Sequence, residues 1–262
     1  MIPPILYPNT SSSVDTLMIF SNEMRKAVSN NIIYPLGFGV DSTEQYPVVY
    51  LLHGYGGDHG GWYTLVPELQ DLATIYRVLI VCPDGNVDSW YLDSPIDSSY
   101  QYETFITKYL IPSIDRNLPT VNSPKGRAIS GLSMGGHGAL YLAARHPDLF
   151  GAAGSMSGGL DLRPFPDNWN ISERIGSIDE FPDRWDAASV VNYDTAFANN
   201  QQALIIDCGI DDFFFEVNEQ MHERLTQLGV AHDYTTRPGE HNWEYWRNAV
   251  QYQLLFFDRY FE

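Results

Sequence analysis

The chain has 262 residues, 44% of them hydrophobic, and a formal net charge of −18 at pH 7. That length and apolar content suit one large α/β domain with a buried core. The acidic balance excludes the basic face that nucleic acid or an anionic membrane needs as a partner, and it suits a neutral substrate.

Residues 14–20 and 24–34 are predicted to form an opening hairpin. A loop containing Gly37 and Gly39 ends at Pro47. Val48-Val49-Tyr50-Leu51-Leu52 is then a continuous apolar run, as expected of a strand covered on both faces. It breaks at His53-Gly54-Tyr55-Gly56-Gly57. A helix is predicted over Leu65 to Ala73, a buried strand over Arg77 to Cys82, and a helix over Tyr100 to Leu118 interrupted near Pro112. Gly126 to Ser130 reads as a strand and Gly136 to Arg145 as a helix, which stops at His146-Pro147 because proline disfavours a helical residue before it. Gly151 to Met156 is another short strand. Residues 158–200, with Pro164, Pro166, Trp169, Pro182 and Trp185, have no clear period and read as a lid-like insertion on one edge of the sheet. Ala203 to Cys208 returns to strand. Val217, Met221, Leu225 and Leu228 share one face of a helix capped by Gly229. His232 to Thr236 is the last strand and Asn242 to Phe257 the last helix. Strands alternating with helices predict a mostly parallel central sheet with helices on both faces. Functional sites in such sheets form beyond the carboxyl ends of the strands.

Between the predicted strand ending at Ser130 and the helix after it lies Gly131-Leu132-Ser133-Met134-Gly135. This G-x-S-x-G pattern, on a strand-turn-helix, is that of a nucleophile elbow. A serine hydroxyl is a poor nucleophile until it is held beside a base and facing an oxyanion site. Side chains at the flanking glycines would collide with their neighbours.

A base is needed, and the chain has seven histidines. His53 and His59 lie in the early glycine loop, His137 and His146 on the elbow helix, His222 on a helix, and His232 at the start of a strand. His241 alone sits in a loop after the last strand, in Pro238-Gly239-Glu240-His241-Asn242-Trp243, where an imidazole can reach a serine on a neighbouring strand end. The orienting acid is Asp211 or Asp212, both following a strand end; the residues alone do not choose between them. Asp207 falls inside the strand. The chain order Ser, Asp, His is that of α/β-hydrolases. The oxyanion donors in this arrangement are the N–H of Met134, just after the serine, and an N–H of the His53–Gly57 loop, here Tyr55. Trp90 and Tyr91 follow a strand end, Trp243 flanks His241, and Trp169 and Trp185 lie in the insertion. These five are the candidate substrate contacts, with core or lid packing as the competing use.

Leu51-Leu52-His53-Gly54, Gly131 to Leu140 and Cys208-Gly209-Ile210-Asp211-Asp212-Phe213 together resemble the esterase D family of α/β-hydrolases, from about residue 14 to the end. The resemblance implies an α/β-hydrolase fold and a serine carboxylesterase that needs no cofactor and no metal. It carries the family's nucleophile onto Ser133, its base onto His241 and its acid onto Asp212, the aspartate directly before Phe213. It carries the oxyanion amides onto Tyr55 and Met134. The family spans feruloyl and acetyl esterases, tributyrin-type esterases, S-formylglutathione hydrolases and mycolyltransferases. The S-formylglutathione branch usually has a cysteine in the loop that here reads Gly54-Tyr55-Gly56-Gly57-Asp58. The expected substrates are therefore small-molecule or carbohydrate-linked esters with short-acyl or aryl groups. A thioesterase or acyltransferase, and a non-catalytic carbohydrate-binding module on the same fold, are the alternatives. A homo-oligomer stays open. No basic, apolar leader opens the chain, and a mature secreted or periplasmic form is expected ahead of a cytoplasmic one. The two cysteines, Cys82 and Cys208, each end a predicted strand and are expected to be buried thiols.

Overall fold

The computed structural model describes residues 13–41 and 43–262. The strands are β1 (Val14–Ser21), β2 (Lys26–Ile33), β3 (Val48–Leu52), β4 (Leu79–Pro83), β5 (Arg127–Gly131), β6 (Ala152–Met156), β7 (Ala203–Gly209) and β8 (Asp233–Arg237). They form one eight-stranded sheet in the order β1-β2-β4-β3-β5-β6-β7-β8. β1 and β2 are an antiparallel hairpin, β2 lies antiparallel to β4, and every later pairing is parallel. This is the mostly parallel α/β-hydrolase sheet.

All residues of β3, β4, β5 and β6 are buried, which is why β3 and β4 read as unbroken apolar runs. Their side chains still alternate between faces. Val48, Tyr50 and Leu52 join one core cluster, with Leu140, Met221 and Leu225; Val49 and Leu51 join the other, with Trp62, Trp246 and Leu254. β1, at an edge, keeps Met18 and Phe20 more than half exposed.

The helices are α1 (Gly61–Leu65), α2 (Leu69–Ile75), α3 (Tyr102–Thr104), α4 (Ile111–Asn117), α5 (Met134–Arg145), α6 (Ile171–Ile175), α7 (Pro182–Ala188), α8 (Asp194–Asn200), α9 (Phe215–Gln227) and α10 (Trp243–Phe261). The helix expected over Leu65 to Ala73 is two helices, because Pro67 forces Val66 out of the helical region (φ −125°, ψ 74°). Between α3 and α4 the chain stays helical through a π turn, Phe105–Leu110. Pro112, at the start of α4, has no N–H to give and crowds the preceding turn, so the helix widens ahead of it instead of ending. Gly229, in the left-handed region at φ +68°, closes α9 as expected: its N–H donates to Thr226 and the next N–H to Leu225.

Residues 158–200 leave from β6 and return at β7. Those strands are neighbours inside the sheet, β8 forming the edge beyond them, with Ala152 opposite Ala203. The segment therefore does not sit on an edge, as its lack of period suggested. It crosses the carboxyl ends of the strands and is tethered there by side chains. Ser94 donates to Arg174 O at 2.6 Å, and His137 Nε2 lies 2.7 Å from Ala188 O.

Candidate active site

β5 runs almost straight into α5, with only Leu132 and Ser133 between them to turn the chain. Ser133 makes that turn at φ +54°, ψ −119°, a region costing a non-glycine residue on the order of 1–3 kcal/mol. The turn holds because nothing around it can move. A Cβ on Gly131 would lie 2.5 Å from the carbonyl carbon of Gly135, and one on Gly135 would lie 2.5 Å from Leu52 O. The flanking glycines thus let three backbone segments touch. Ser133 N donates to Met156 O at 2.9 Å, which ties the elbow to the next strand.

The serine hydroxyl points at the loop after β8. Ser133 Oγ is 2.8 Å from His241 Nε2, and His241 Nδ1 is 2.8 and 2.9 Å from the two oxygens of Asp212. Asp212 Oδ1 also accepts the Phe214 N–H at 2.8 Å, and its side chain is fully buried. An ionised carboxylate only accepts, so the histidine proton sits on Nδ1 and Nε2 is left to accept from the serine. Asp211 does different work. It exchanges contacts with Gly239, its N–H to Gly239 O at 3.1 Å and its carboxylate toward Gly239 N at 3.4 Å, and so anchors the loop that carries His241. Asp207 is buried in β7, bound to Arg237 and to the Tyr245 hydroxyl. Burial raises its pKa, opposed by those two partners.

The loop after β3 lies against the serine because Gly54 has no side chain. A Cβ there would be 2.5 Å from Leu132 Cδ1 and 3.3 Å from Ser133 Cβ. The N–H groups of Tyr55 and Met134 have no protein acceptor among the described residues, while Gly56 and Gly57 both donate within the structure. His53 braces the loop: Nδ1 meets Gly54 O and Nε2 accepts from Gly85 N, each at 2.8 Å. Burial lowers its pKa, so the ring is the neutral, Nδ1-protonated form that these two contacts require.

The family model Esterase, described as "Putative esterase", matches residues 21–257. The chain belongs to this esterase family. An esterase of Mycobacterium tuberculosis (strain CDC 1551 / Oshkosh) is 32% identical over 238 residues, 80% of this chain. The chain spans about half of that relative's length, 52%. The acetyl esterase of Caldicellulosiruptor saccharolyticus is 26% identical over 224 residues, 80% of this chain and 82% of its own. Among solved structures, a ferulic acid esterase superposes with a TM-score of 0.82 at 27% identity, covering 95% of this chain and 98% of that one.

In this esterase-family chain a cleft of about 250 Å³ opens at Ser133, between the Gly54–Gly57 loop on one side and Trp169, Phe213, Trp243 and Trp246 on the other. Trp169 stacks on Phe213 (centroids 5.4 Å, 22°), and Phe213 lies 4.2 Å from the His241 ring. A larger polar cavity of about 490 Å³ sits behind the His241 loop, lined by Asp211, Arg237 and Glu240. It includes neither the serine nor the histidine, so chemistry selects the smaller cleft.

Two of the expected aromatic contacts, Trp169 and Trp243, line the cleft. Trp90, Tyr91 and Trp185 do not, and each is almost fully buried. Trp185 packs inside the insertion with its Nε1 donating to Gly176 O. Trp90 packs against His137 and donates its indole N–H to Trp169 O at 3.2 Å, so it supports the wall without forming it. Tyr91 fills the space left by two glycines, since Cβ atoms on Gly85 and Gly138 would lie 2.4 and 2.5 Å from its ring. Its hydroxyl donates to His53 O at 3.1 Å, directly behind the Gly54–Gly57 loop. Phe213 and Trp246 were missed. Phe213 follows Asp212 directly and Trp246 lies one turn beyond Trp243 on α10, so both could have been placed once those neighbours were.

Proposed function

We propose that this chain is a cofactor-independent carboxylic ester hydrolase that works through an acyl-enzyme on Ser133. The observation that carries the reading is the unbroken chain Ser133 Oγ, His241, Asp212, with every contact at 2.8 to 2.9 Å, beside the Tyr55 and Met134 N–H groups, which have no acceptor among the described residues. Ser133 attacks the ester carbonyl while His241 Nε2 takes its proton. Asp212 keeps Nδ1 protonated and stabilises the imidazolium that forms. The oxyanion of the tetrahedral intermediate accepts from the Tyr55 and Met134 N–H groups, each worth about 10²–10³ in kcat. His241 then protonates the leaving alcohol. A water, deprotonated by the same ring, releases the acid and restores the serine.

The expected acyl groups are short or aryl, of the acetyl and feruloyl type. The flat Trp169–Phe213 wall beside His241 supports an aryl group. The acetyl esterase and ferulic acid esterase relatives support the same range. The loop Gly54–Asp58, without a cysteine, favours oxygen esters over glutathione thioesters. The strongly negative net charge fits a neutral ester and no nucleic-acid partner. The test is turnover of p-nitrophenyl acetate, methyl ferulate, tributyrin and S-formylglutathione by wild type and Ser133→Ala. The reading expects hydrolysis of the first three, abolished in the variant. Turnover retained by Ser133→Ala overturns it.

A further inference from the structure

Trp169 and Asn170 stand one after the other in the left-handed region, at φ +47° and φ +54°. Neither is a glycine, and such a pair persists only where its surroundings over-determine it. One hold is Trp90, whose Nε1 donates to Trp169 O at 3.2 Å. The other is the Asn170 side chain. Asn170 is the N-cap of α6, where an asparagine ordinarily accepts from the first helix N–H groups, but here it makes no such bond. Its Nδ2 donates instead to Asp88 Oδ2 at 3.0 Å and to the Tyr55 hydroxyl at 3.4 Å. Asp88 is buried on the loop after β4, with Arg174 Nη2 3.7 Å from the same oxygen. Arg174 is buried too, its guanidinium 3.9 Å from the centre of the Tyr100 ring. A carboxylate offers only acceptors, so the amide NH2 and not the amide oxygen faces it. One NH2 thus ties together the loop after β3, the loop after β4 and the 158–200 segment.

We propose that Asn170, pinned by Asp88, is the positioning residue that sets where the Trp169 ring stands and so governs how well a planar acyl group fits the cleft. The inference rests on the esterase reading of Ser133. Tyr55 and Trp169 line the same cleft, and the Asn170 amide joins the residue after Trp169 to the Tyr55 hydroxyl. Trp169 in turn stacks on Phe213, beside the His241 ring. Without the Asn170 donor the left-handed turn is free to relax, and the indole moves off Phe213. A planar aryl acyl group needs that wall, whereas an acetyl group is too short to use it. Asn170 and Asp88 share no hydrogen bond with Ser133, His241 or Asp212, so their loss acts on binding and not on the reacting atoms.

The experiment is steady-state kinetics on p-nitrophenyl acetate and methyl ferulate, with thermal melts to show that each variant folds. The proteins are wild type, Ser133→Ala, Asn170→Asp and the exchanged pair Asp88→Asn with Asn170→Asp. Asn170→Asp keeps the shape and the tolerance for a left-handed backbone but sets carboxylate against carboxylate with no donor. The exchanged pair reverses donor and acceptor and restores the bond. Asn170→Asp is expected to raise KM for methyl ferulate about tenfold, a coupling ordinary for hydrogen-bonded neighbours, with its kcat and both constants for p-nitrophenyl acetate within about twofold. The exchanged pair returns KM to within about threefold of wild type. Asn170→Gly, at ease in the left-handed region, is the second variant should Asn170→Asp not fold; it gives the same rise, which Asp88→Asn does not rescue. An unchanged KM for methyl ferulate, equal rises for both esters, no rescue by the folded exchanged pair, or a wild type that hydrolyses p-nitrophenyl acetate but not methyl ferulate each overturns the inference while Ser133-dependent hydrolysis stands. Turnover retained by Ser133→Ala overturns the esterase reading and this inference with it.

Discussion

The elbow and the 158–200 segment meet over one cleft and are built by opposite means. At the elbow, backbone touches backbone. Gly131 and Gly135 admit approaches of 2.5 Å to an imagined Cβ, and strain at Ser133 is locked in by β3, β5 and β6. The segment between β6 and β7 has short helices and hangs on single side-chain contacts: Trp90 to Trp169 O, Ser94 to Arg174 O, His137 to Ala188 O. Trp169 itself sits at φ +47° and Asn170 at φ +54°. One region fixes where a reacting atom sits, to a fraction of an ångström. The other shapes what lies beside it and can change by one tether at a time. On the proposed reading, chemistry belongs to the first and choice of acyl group to the second.

Substitutions around the cleft test that contrast in different ways. The largest effect is expected for Asp212→Asn. Losing the carboxylate leaves the wrong histidine tautomer, and kcat on p-nitrophenyl acetate falls about 10⁴-fold. Asp211→Asn, which touches only the His241 loop, stays within about threefold; equal losses in the two steady-state assays would remove the distinction between them. Next is Gly135→Ala, whose Cβ would press on Leu52 O. It lowers kcat by about 10²-fold, as expected when a nucleophile is displaced by a fraction of an ångström to 1 Å. A melt showing full stability with full activity would contradict the close-contact account.

His137 tests the tethers. It is fully buried with carbonyls at both ring nitrogens, and burial pushes its pKa down to about 4, against the pull of those carbonyls. The folded value lies below the unfolded one of about 6.5, so the unfolded chain binds more protons between them. The neutral ring's full contribution is present above pH 6.5 and is lost as pH falls through 4, by roughly 3 kcal/mol. His137→Gln therefore melts with a shallower dependence on pH between 6.5 and 4 than wild type, in differential scanning calorimetry. An unchanged slope would mean the ring does not stay neutral. The smallest of the expected losses is that of Trp169→Ala. It raises KM for methyl ferulate about tenfold and leaves p-nitrophenyl acetate within twofold. Equal changes for both esters would place Trp169 outside substrate choice.

The same contrast explains what could be read from the residues alone. The strands β3 to β7 and the elbow were legible because parallel, doubly covered strands and glycine-forced turns leave local marks. His241 and the two aspartates were legible as the residues after strand ends. Composition and spacing did not separate Asp211 from Asp212; the family resemblance chose Asp212, and in the fold it is that carboxylate which turns inward beside Phe214 N. The aromatic contacts were half legible. Trp90, Tyr91 and Trp185 have the same composition signal as Trp169, and what separates them is burial by glycines and helices distant in sequence. The irregular segment carried no period because no face of it repeats against the sheet. Its place inside the sheet's edge follows from β6 and β7 being neighbours, with β8 outside them.

The central claim is that His241 and Asp212 make Ser133, among all the serines of the chain, the nucleophile. Intact-mass analysis after brief exposure to a fluorophosphonate tests it directly. The account predicts one adduct per chain, on the peptide containing Ser133, none in Ser133→Ala, and labelling slowed at least about 10³-fold in His241→Ala. An adduct on another serine, or undiminished labelling without His241, would contradict it.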